Sequence, residues 1–263
     1  EAAFNGLDIE MGSYTNGLTS DNSLGYNLYY LADSYLEMLK KGELPMASVD
    51  AKARNILRLI FRTSLNQNKP YGSLCTKEHY DVAKVIGDES IVLLRNNGIL
   101  PLQADKYNRI LVVGDNAVRR LTDGGGSSEL KPKDMISPLD ALRALYGDKI
   151  EYTQGYACGR PFFGHEEEMQ QTVIDSLRAE AVAKARQADV VIYVGGLNKN
   201  AFQDCESTDR KSYNLPFSQN ELIEELVAVN PNLVIANISG NAYAMPWLKK
   251  VPAILHISYL GTM

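Results

Sequence analysis

The stretch of this sequence best equipped for chemistry is a carboxylate-rich loop that follows an apolar run at residues 189–194. It carries Asp204, Glu206 and Asp209 within six residues, with Arg210 directly after them. Because α/β folds bind ligands beyond the carboxyl ends of parallel strands, this position suits a functional loop. A solvated acidic loop without a chemical role is the plainer interpretation of the composition alone.

Carboxyl groups with different pKa values can divide the work of an acid and a base. Glu206 is the candidate proton donor of this loop. We expect Asp209 to be ionised and paired with Arg210, because a neighbouring cation lowers the pKa of a carboxyl group. We expect Asp204 to raise the pKa of Glu206 by charge repulsion, as the role of an acid requires.

A glycine-rich segment at residues 123–128 is the second candidate region. The backbone amides of Gly125, Gly126 and Ser127 can approach a ligand closely or cradle an anion. The segment has neither the dinucleotide-binding motif nor the Walker motif. A nucleotide- or phosphate-binding α/β domain therefore stays as an alternative that depends on the glycines and on fold analogy only.

Composition argues against several classes of partner. The 263 residues carry a net charge of −5 and no basic block, so neither nucleic acid nor an anionic membrane surface is an expected partner. No apolar run approaches the roughly 18 residues of a membrane span. The three cysteines and three histidines lack metal-ligand spacing, so we expect no metal and no cofactor.

Hydrophobic periodicity predicts a doubly wound, mostly parallel α/β sheet in the larger part of the chain. A polar stretch with Pro and Gly at residues 66–76 indicates a linker between residues 1–65 and 77–263. Predicted strands are 7–11, 110–113, 150–153, 190–194, 233–237 and 253–257, and predicted helices are 24–39, 48–61, 77–94, 138–145, 166–187, 219–229 and 242–248.

Several of these segments together resemble glycoside hydrolase family 3. The loop from Glu206 to Arg210, followed by Asn214-Leu215-Pro216 and Gln219, is similar to the family's E-G-x-D-R … L-P-x-x-Q pattern. Further segments that resemble the family, in the family's order, are residues 5–11, 50–65, 89–102, 124–139 and 239–255.

The resemblance implies a retaining, exo-acting β-glycosidase, similar to β-glucosidases, whose partner is an oligosaccharide or another β-glycoside substrate. It also implies that residues 1–65 are the C-terminal remnant of a (β/α)8 barrel, and that residues 77–263 form an α/β sandwich domain truncated at its C-terminus. Glu206 occupies the family's general acid/base position. A β-xylosidase of the same family, or a non-catalytic sugar- or nucleotide-binding domain, is the alternative.

The resemblance has two departures. The family's nucleophile, the Asp of an S-D-W motif, precedes the first matching segment, so we expect this chain to lack it and to be inactive alone. The missing barrel domain of the same protein would supply that residue. The family has Gly where this chain has Ser207, which restricts the backbone of the loop.

Overall fold

A computed structural model describes residues 3–10, 29–68, 71–103, 105–159, 163–166, 168–206 and 208–259. The chain divides into two compact units, Glu1–Ser73 and Leu74–Met263. The second unit holds every residue that the sequence marks as a candidate for chemistry.

The first unit contains two helices, α1 (Asp33–Lys40) and α2 (Ala47–Arg62). The phenolic oxygen of Tyr35 lies 2.6 Å from Ser48 Oγ and joins the two helices. The apolar side chains of α2 are half-buried or exposed in this chain, and the exposed ones include Leu57 and Phe61. The strand predicted at residues 7–11 is absent over the described residues 7–10.

The second unit is built on one six-stranded sheet. Its strands are β1 (Val92–Asn96), β2 (Ile110–Val113), β3 (Ile150–Thr153), β4 (Val190–Gly196), β5 (Leu233–Ile238) and β6 (Ala253–Ile257), in the order β1-β6-β5-β4-β2-β3. Strands β2 to β6 are parallel, and β1 pairs antiparallel with β6 at the edge. The predicted fold class, a mostly parallel α/β sheet, is confirmed.

Helices connect these strands and cover the sheet. Helix α3 (Lys77–Ser90) precedes β1, α4 (Pro138–Tyr146) joins β2 to β3, α5 (Gln171–Ala185) joins β3 to β4, and α6 (Gln219–Val229) joins β4 to β5. Side chains of α5 and α6 share one apolar cluster with one face of the sheet, and side chains of α4 pack in a cluster on the other face. Crossings on opposite faces are typical of a doubly wound sheet.

Four predicted helices differ from the structure. In the helix predicted at 24–39, residues 24–28 lie outside the described residues, residues 29–32 form a bend and turns, and α1 begins only at Asp33. Residues 77–94 form α3 and then β1, because the apolar end of this segment pairs with β6. The helix predicted at 166–187 begins only at Gln171. Residues 242–245 are irregular and residues 246–248 form a turn rather than a helix, since Pro246 cannot continue the helical hydrogen-bond ladder. In this turn Trp247, fully buried, donates its indole N–H to Asn220 Oδ1 at 2.9 Å.

No helix within the described ranges is long and apolar enough to cross a bilayer.

Candidate active site

The strand order places two loops at a topological switch point. The chain runs from β2 outward to β3, then returns to add β4 on the other side of β2. The segments that follow β2 and β4 therefore leave the same edge of the sheet side by side, which is where open α/β sheets bind ligands. These are the glycine loop (residues 119–128) and the acidic loop (residues 197–216).

The two loops meet at Glu206. Its Oε2 accepts a hydrogen bond from the backbone N–H of Ser127 at 2.8 Å and one from the Ser127 hydroxyl, also at 2.8 Å. The candidate residues of the two loops, separated by 79 positions in the chain, are thus brought together. The Glu206 side chain is otherwise open to solvent in this chain.

The glycine loop approaches the carboxylate too closely for a larger residue. Gly126 has φ +62°, and a Cβ atom added there would lie 2.5 Å from Glu206 Oε2 and 2.7 Å from Cε2 of Phe163. Such distances are far below normal van der Waals contact, and a positive φ already disfavours other residue types. Gly125, at φ +76°, is similarly enclosed by Phe163 and the aliphatic part of Lys199.

The expectation that Asp204 raises the pKa of Glu206 is wrong. The pKa of Glu206 is lowered rather than raised, and the cause is its hydrogen bonds from the Ser127 amide and hydroxyl, which favour the ionised form. Asp204 is buried, with only 8% of its surface exposed. Its carboxylate accepts hydrogen bonds from the Gly240 N–H (2.6 Å), Asn241 Nδ2 (2.7 Å) and the Tyr259 hydroxyl (3.0 Å). Asp204 is therefore an anchor of the acidic loop.

The expected pair of Asp209 and Arg210 also differs. The Arg210 guanidinium donates hydrogen bonds to the carbonyls of Ser212 and Ala242 and stacks on the Tyr213 ring at 5.5 Å. Among the described residues, no ion pair joins it to Asp209. The side chain of Arg210 instead ties two backbone segments together. Ser207, the departure from the family pattern, lies outside the described residues.

Two side chains beside the site, Lys199 and Phe163, were not predicted from the sequence. Lys199 Nζ lies 2.8 Å from Glu129 Oε1 and 3.6 Å from Asp123 Oδ1, so it bridges the acidic loop to the glycine loop. Its position three residues beyond the end of β4 is a signal that could have found it. Phe163 lies ten residues beyond the end of β3, too far from the strand for its position to give such a signal.

No group of three or more potential metal ligands occurs within the part of the chain that the structure describes. The arrangement at the two loops is a carboxylate at a loop tip, with hydrogen-bond donors on one side and solvent on the other. Such a carboxylate can give or take a proton at a bound ligand.

Comparison with known proteins identifies the relationship. Residues 91–263 match the sequence profile of the "Glycosyl hydrolase family 3 C-terminal domain". The chain belongs to glycoside hydrolase family 3. It is 56% identical over 269 residues to the β-glucosidase BoGH3A of Bacteroides ovatus, an alignment that covers 100% of this chain and 36% of that protein. The chain thus spans about a third of the length of this family 3 relative.

Solved structures of β-glucosidases share the fold. The crystal structure of the GH3 β-glucosidase of Bifidobacterium adolescentis aligns with a TM-score of 0.70 at 29% identity, over 88% of this chain and 32% of that one. DesR, a β-glucosidase of Streptomyces venezuelae crystallised with D-glucose, gives a TM-score of 0.78 at 22% identity, over 99% of this chain and 45% of that one. At that lower identity the likeness concerns the fold alone.

Proposed function

We propose that the full-length protein is a retaining exo-β-glycosidase of the β-glucosidase type and that Glu206 is its general acid/base. The observation that carries the proposal is the Glu206 carboxylate itself. It stands at the switch point of the sheet, open to solvent, and is held through one oxygen by Ser127. The relationship to BoGH3A supports the β-glucosidase type.

In the proposed reaction Glu206 acts twice. It first protonates the glycosidic oxygen while a second carboxylate attacks the anomeric carbon, and it then removes a proton from the water that hydrolyses the glycosyl-enzyme. The second carboxylate belongs to the part of the protein outside this chain. In a retaining enzyme the two carboxyl groups lie about 5–5.5 Å apart.

The hydrogen bonds around Glu206 favour one of its two protonation states. Because Ser127 lowers the pKa of Glu206, the ionised form that serves as the base is favoured here. The acid form requires a higher pKa, and desolvation of the carboxyl group by bound substrate is the expected cause of that increase. The same group can then alternate between acid and base.

The glycine loop is the proposed second wall of the substrate site. Ser127 is exposed and Gly126 half-buried beside Glu206, so these two residues would face the sugar, whereas Gly125 is buried against Phe163 and Lys199 and supports them from behind. The Ser127 amide donates to Glu206. This use of the amide argues against the alternative in which the loop cradles the phosphate of a nucleotide.

The remaining partner in this proposal is a barrel domain of the same protein. Helix α2 exposes a row of apolar side chains, including Leu57 and Phe61, which are 51% and 64% exposed. Contiguous exposed apolar surface indicates a missing packing partner. The chain covers 36% of the length of BoGH3A, and we propose that the rest of the barrel lies in the remaining length and is that partner.

The test compares two leaving groups in the full-length protein. Glu206→Gln cannot protonate the glycosidic oxygen, so kcat/KM for an alkyl β-glucoside should fall about 10²- to 10⁴-fold. The fall should be much smaller for 2,4-dinitrophenyl β-glucoside, whose leaving group needs no proton, and the alkaline limb of the pH profile should disappear.

Glu221→Gln, at an exposed glutamate in the first turn of α6, is the matched control and should leave kcat/KM unchanged for both substrates. An equal loss on both substrates in Glu206→Gln would contradict the assignment. The 263-residue chain by itself should release no dinitrophenol in the same assay, because it supplies only one of the two carboxylates.

A further inference from the structure

A buried carboxylate lies behind the candidate site and does not take part in the proposed reaction. Asp115, fully buried, follows β2 directly. Its two oxygens accept hydrogen bonds from Arg119 Nε (2.8 Å) and a second Arg119 nitrogen (3.0 Å), from Gln154 Nε2 (2.7 Å) and from the thiol of Cys158 (2.8 Å). One carboxylate therefore joins the segments that follow β2 and β3.

Cys158 extends this network to the segment after β4. Its sulfur donates to Asp115 and accepts a hydrogen bond from Asn198 Nδ2 at 3.0 Å, and its carbonyl accepts one from Asn200 Nδ2 at 3.1 Å. Burial raises the pKa of the thiol, and the adjacent Asp115 charge raises it further. The thiol is therefore protonated at neutral pH and can act as donor and acceptor at the same time.

Asn198 in turn closes the base of the acidic loop. Its carbonyl accepts a hydrogen bond from the Asp204 N–H at 2.9 Å, and its own N–H donates to Gln203 Oε1 at 3.1 Å. Its Oδ1 accepts from the Asn200 N–H at 2.8 Å. The loop between Asn198 and Asp204 is thus fixed by buried polar side chains, and Glu206 follows it by two residues.

The same carboxylate also holds the other loop. Arg119, which forms the bidentate pair with Asp115, is the first residue of the glycine loop, and this loop supplies Ser127 to Glu206. Asp115 is therefore the common attachment of both loops that meet at the candidate acid/base. Fully satisfied buried polar networks of this kind make a local structure rigid.

We propose that Asp115 and Cys158 are positioning residues that hold the glycine loop and the acidic loop in the relative placement that Glu206 needs. This inference rests on the proposed function, because it concerns the geometry of the same acid/base. Catalytic proton transfer depends on placement, and a shift of about 1 Å can reduce the rate about 100-fold.

The experiment replaces the thiol in the full-length protein. Cys158→Ala removes both the donor to Asp115 and the acceptor for Asn198, whereas Cys158→Ser keeps a group with both capacities. In Cys158→Ala we expect kcat/KM for an alkyl β-glucoside to fall about 10- to 100-fold, with a fall of less than about threefold for 2,4-dinitrophenyl β-glucoside. Cys158→Ser should keep most of the kcat/KM that Cys158→Ala loses.

The control is Cys75→Ala, at an exposed cysteine, which should leave kcat/KM unchanged for both substrates. A loss that is equal on the two substrates, or no loss at all, would overturn the proposal, because general destabilisation does not distinguish leaving groups. If Cys158→Ala does not fold, Gln154→Ala removes one donor from Asp115 at a half-buried position. It should show the same preference for the poor leaving group, and equal or absent effects would again overturn the proposal.

Glu206→Gln separates this inference from the proposed function. If that variant shows no dependence on the leaving group, the acid/base assignment fails and the positioning proposal fails with it. If Glu206→Gln shows the dependence and both Cys158→Ala and Gln154→Ala lack it, only the positioning proposal fails.

Discussion

Asp204 and Glu206 stand two residues apart in one loop and have opposite surroundings. Asp204 is buried and accepts hydrogen bonds from three donors on the segments after β5 and β6. Glu206 is open to solvent and accepts hydrogen bonds from one residue, Ser127. Closeness in sequence therefore does not give two carboxylates the same role: one fixes the loop, and the other is available to a ligand.

The backbone explains how such a short segment separates them. Cys205 and Thr208 pair as an isolated antiparallel bridge, so that Glu206 lies in a tight turn while Asp204 stays at its base. The Asp204 N–H is bound to the Asn198 carbonyl, which keeps this residue against the sheet. The turn then carries the next carboxylate outward to the glycine loop.

The largest effect on the exposed carboxylate, short of removing it, is expected from Gly126→Ala in the full-length protein. The added Cβ would lie 2.5 Å from Glu206 Oε2 and must displace it or Phe163. We expect kcat/KM for an alkyl β-glucoside to fall about 10- to 100-fold. Steady-state kinetics against the same two leaving groups measures this loss.

Gly147→Ala is the matched control, because Gly147 has a similar φ of +59° with nothing within 4 Å of an added Cβ. It carries the conformational cost of a positive φ without the clash. Equal losses of activity in the two variants would show that backbone strain alone, and not the approach to Glu206, decides the effect.

For the buried carboxylate we expect an effect on stability. Asp204→Asn keeps the shape but turns one acceptor into a donor that faces Gly240, Asn241 or Tyr259. Leaving a buried polar group unsatisfied should lower the free energy of unfolding by about 1–3 kcal/mol. Denaturant unfolding followed by circular dichroism measures the change.

Asp209→Asn is the control in the same loop, since Asp209 is exposed. It should stay within about 0.5 kcal/mol of the parent protein, as should Glu206→Gln. A stability loss in Glu206→Gln as large as that in Asp204→Asn would remove the distinction between the buried anchor and the exposed carboxylate.

The smallest effect is expected from Ser127→Ala. The Ser127 hydroxyl favours the ionised form of Glu206, so its removal should raise the pKa of that carboxyl, although the backbone N–H remains. A general acid must be protonated, and the alkaline limb of the kcat/KM profile reports its pKa in the free enzyme. That limb should therefore move to higher pH.

Ser128→Ala tests the specificity of this shift. Its hydroxyl belongs to the same loop but donates to the Gly125 carbonyl rather than to Glu206. The alkaline limb should stay in place in this variant. A shift toward lower pH in Ser127→Ala would reverse the sign and contradict the role of the hydroxyl.

The sequence predicts most of the sheet because its strands are short apolar runs. The runs at residues 110–113, 150–153 and 253–257 coincide with β2, β3 and β6. The first three residues of β1, Val92 to Leu94, fall in the helix predicted at 77–94, because the order of its residues does not reveal that this strand pairs with β6, more than 150 positions away. Pairing across such a distance is a tertiary effect that overrides local pattern.

The candidate site also has features that the sequence predicts and features that depend on contacts between distant residues. The sequence marks Glu206 and the glycine loop because each follows a strand and carries residues with suitable chemistry. It gives the wrong direction for the pKa of Glu206, since the deciding partner, Ser127, is 79 positions away. The network from Asp115 through Cys158 to Asn198 has no sequence signature, because only the fold brings its members together.

The buried indole of Trp247 offers a further use. It is the one tryptophan among the 263 residues, it is fully buried in the cluster on the α5–α6 face, and its N–H is bonded to Asn220 in the first turn of α6. Intrinsic fluorescence excited near the red edge of protein absorption therefore originates from a single site. A red shift of its emission would mark the moment at which water reaches the interface between α6 and the sheet.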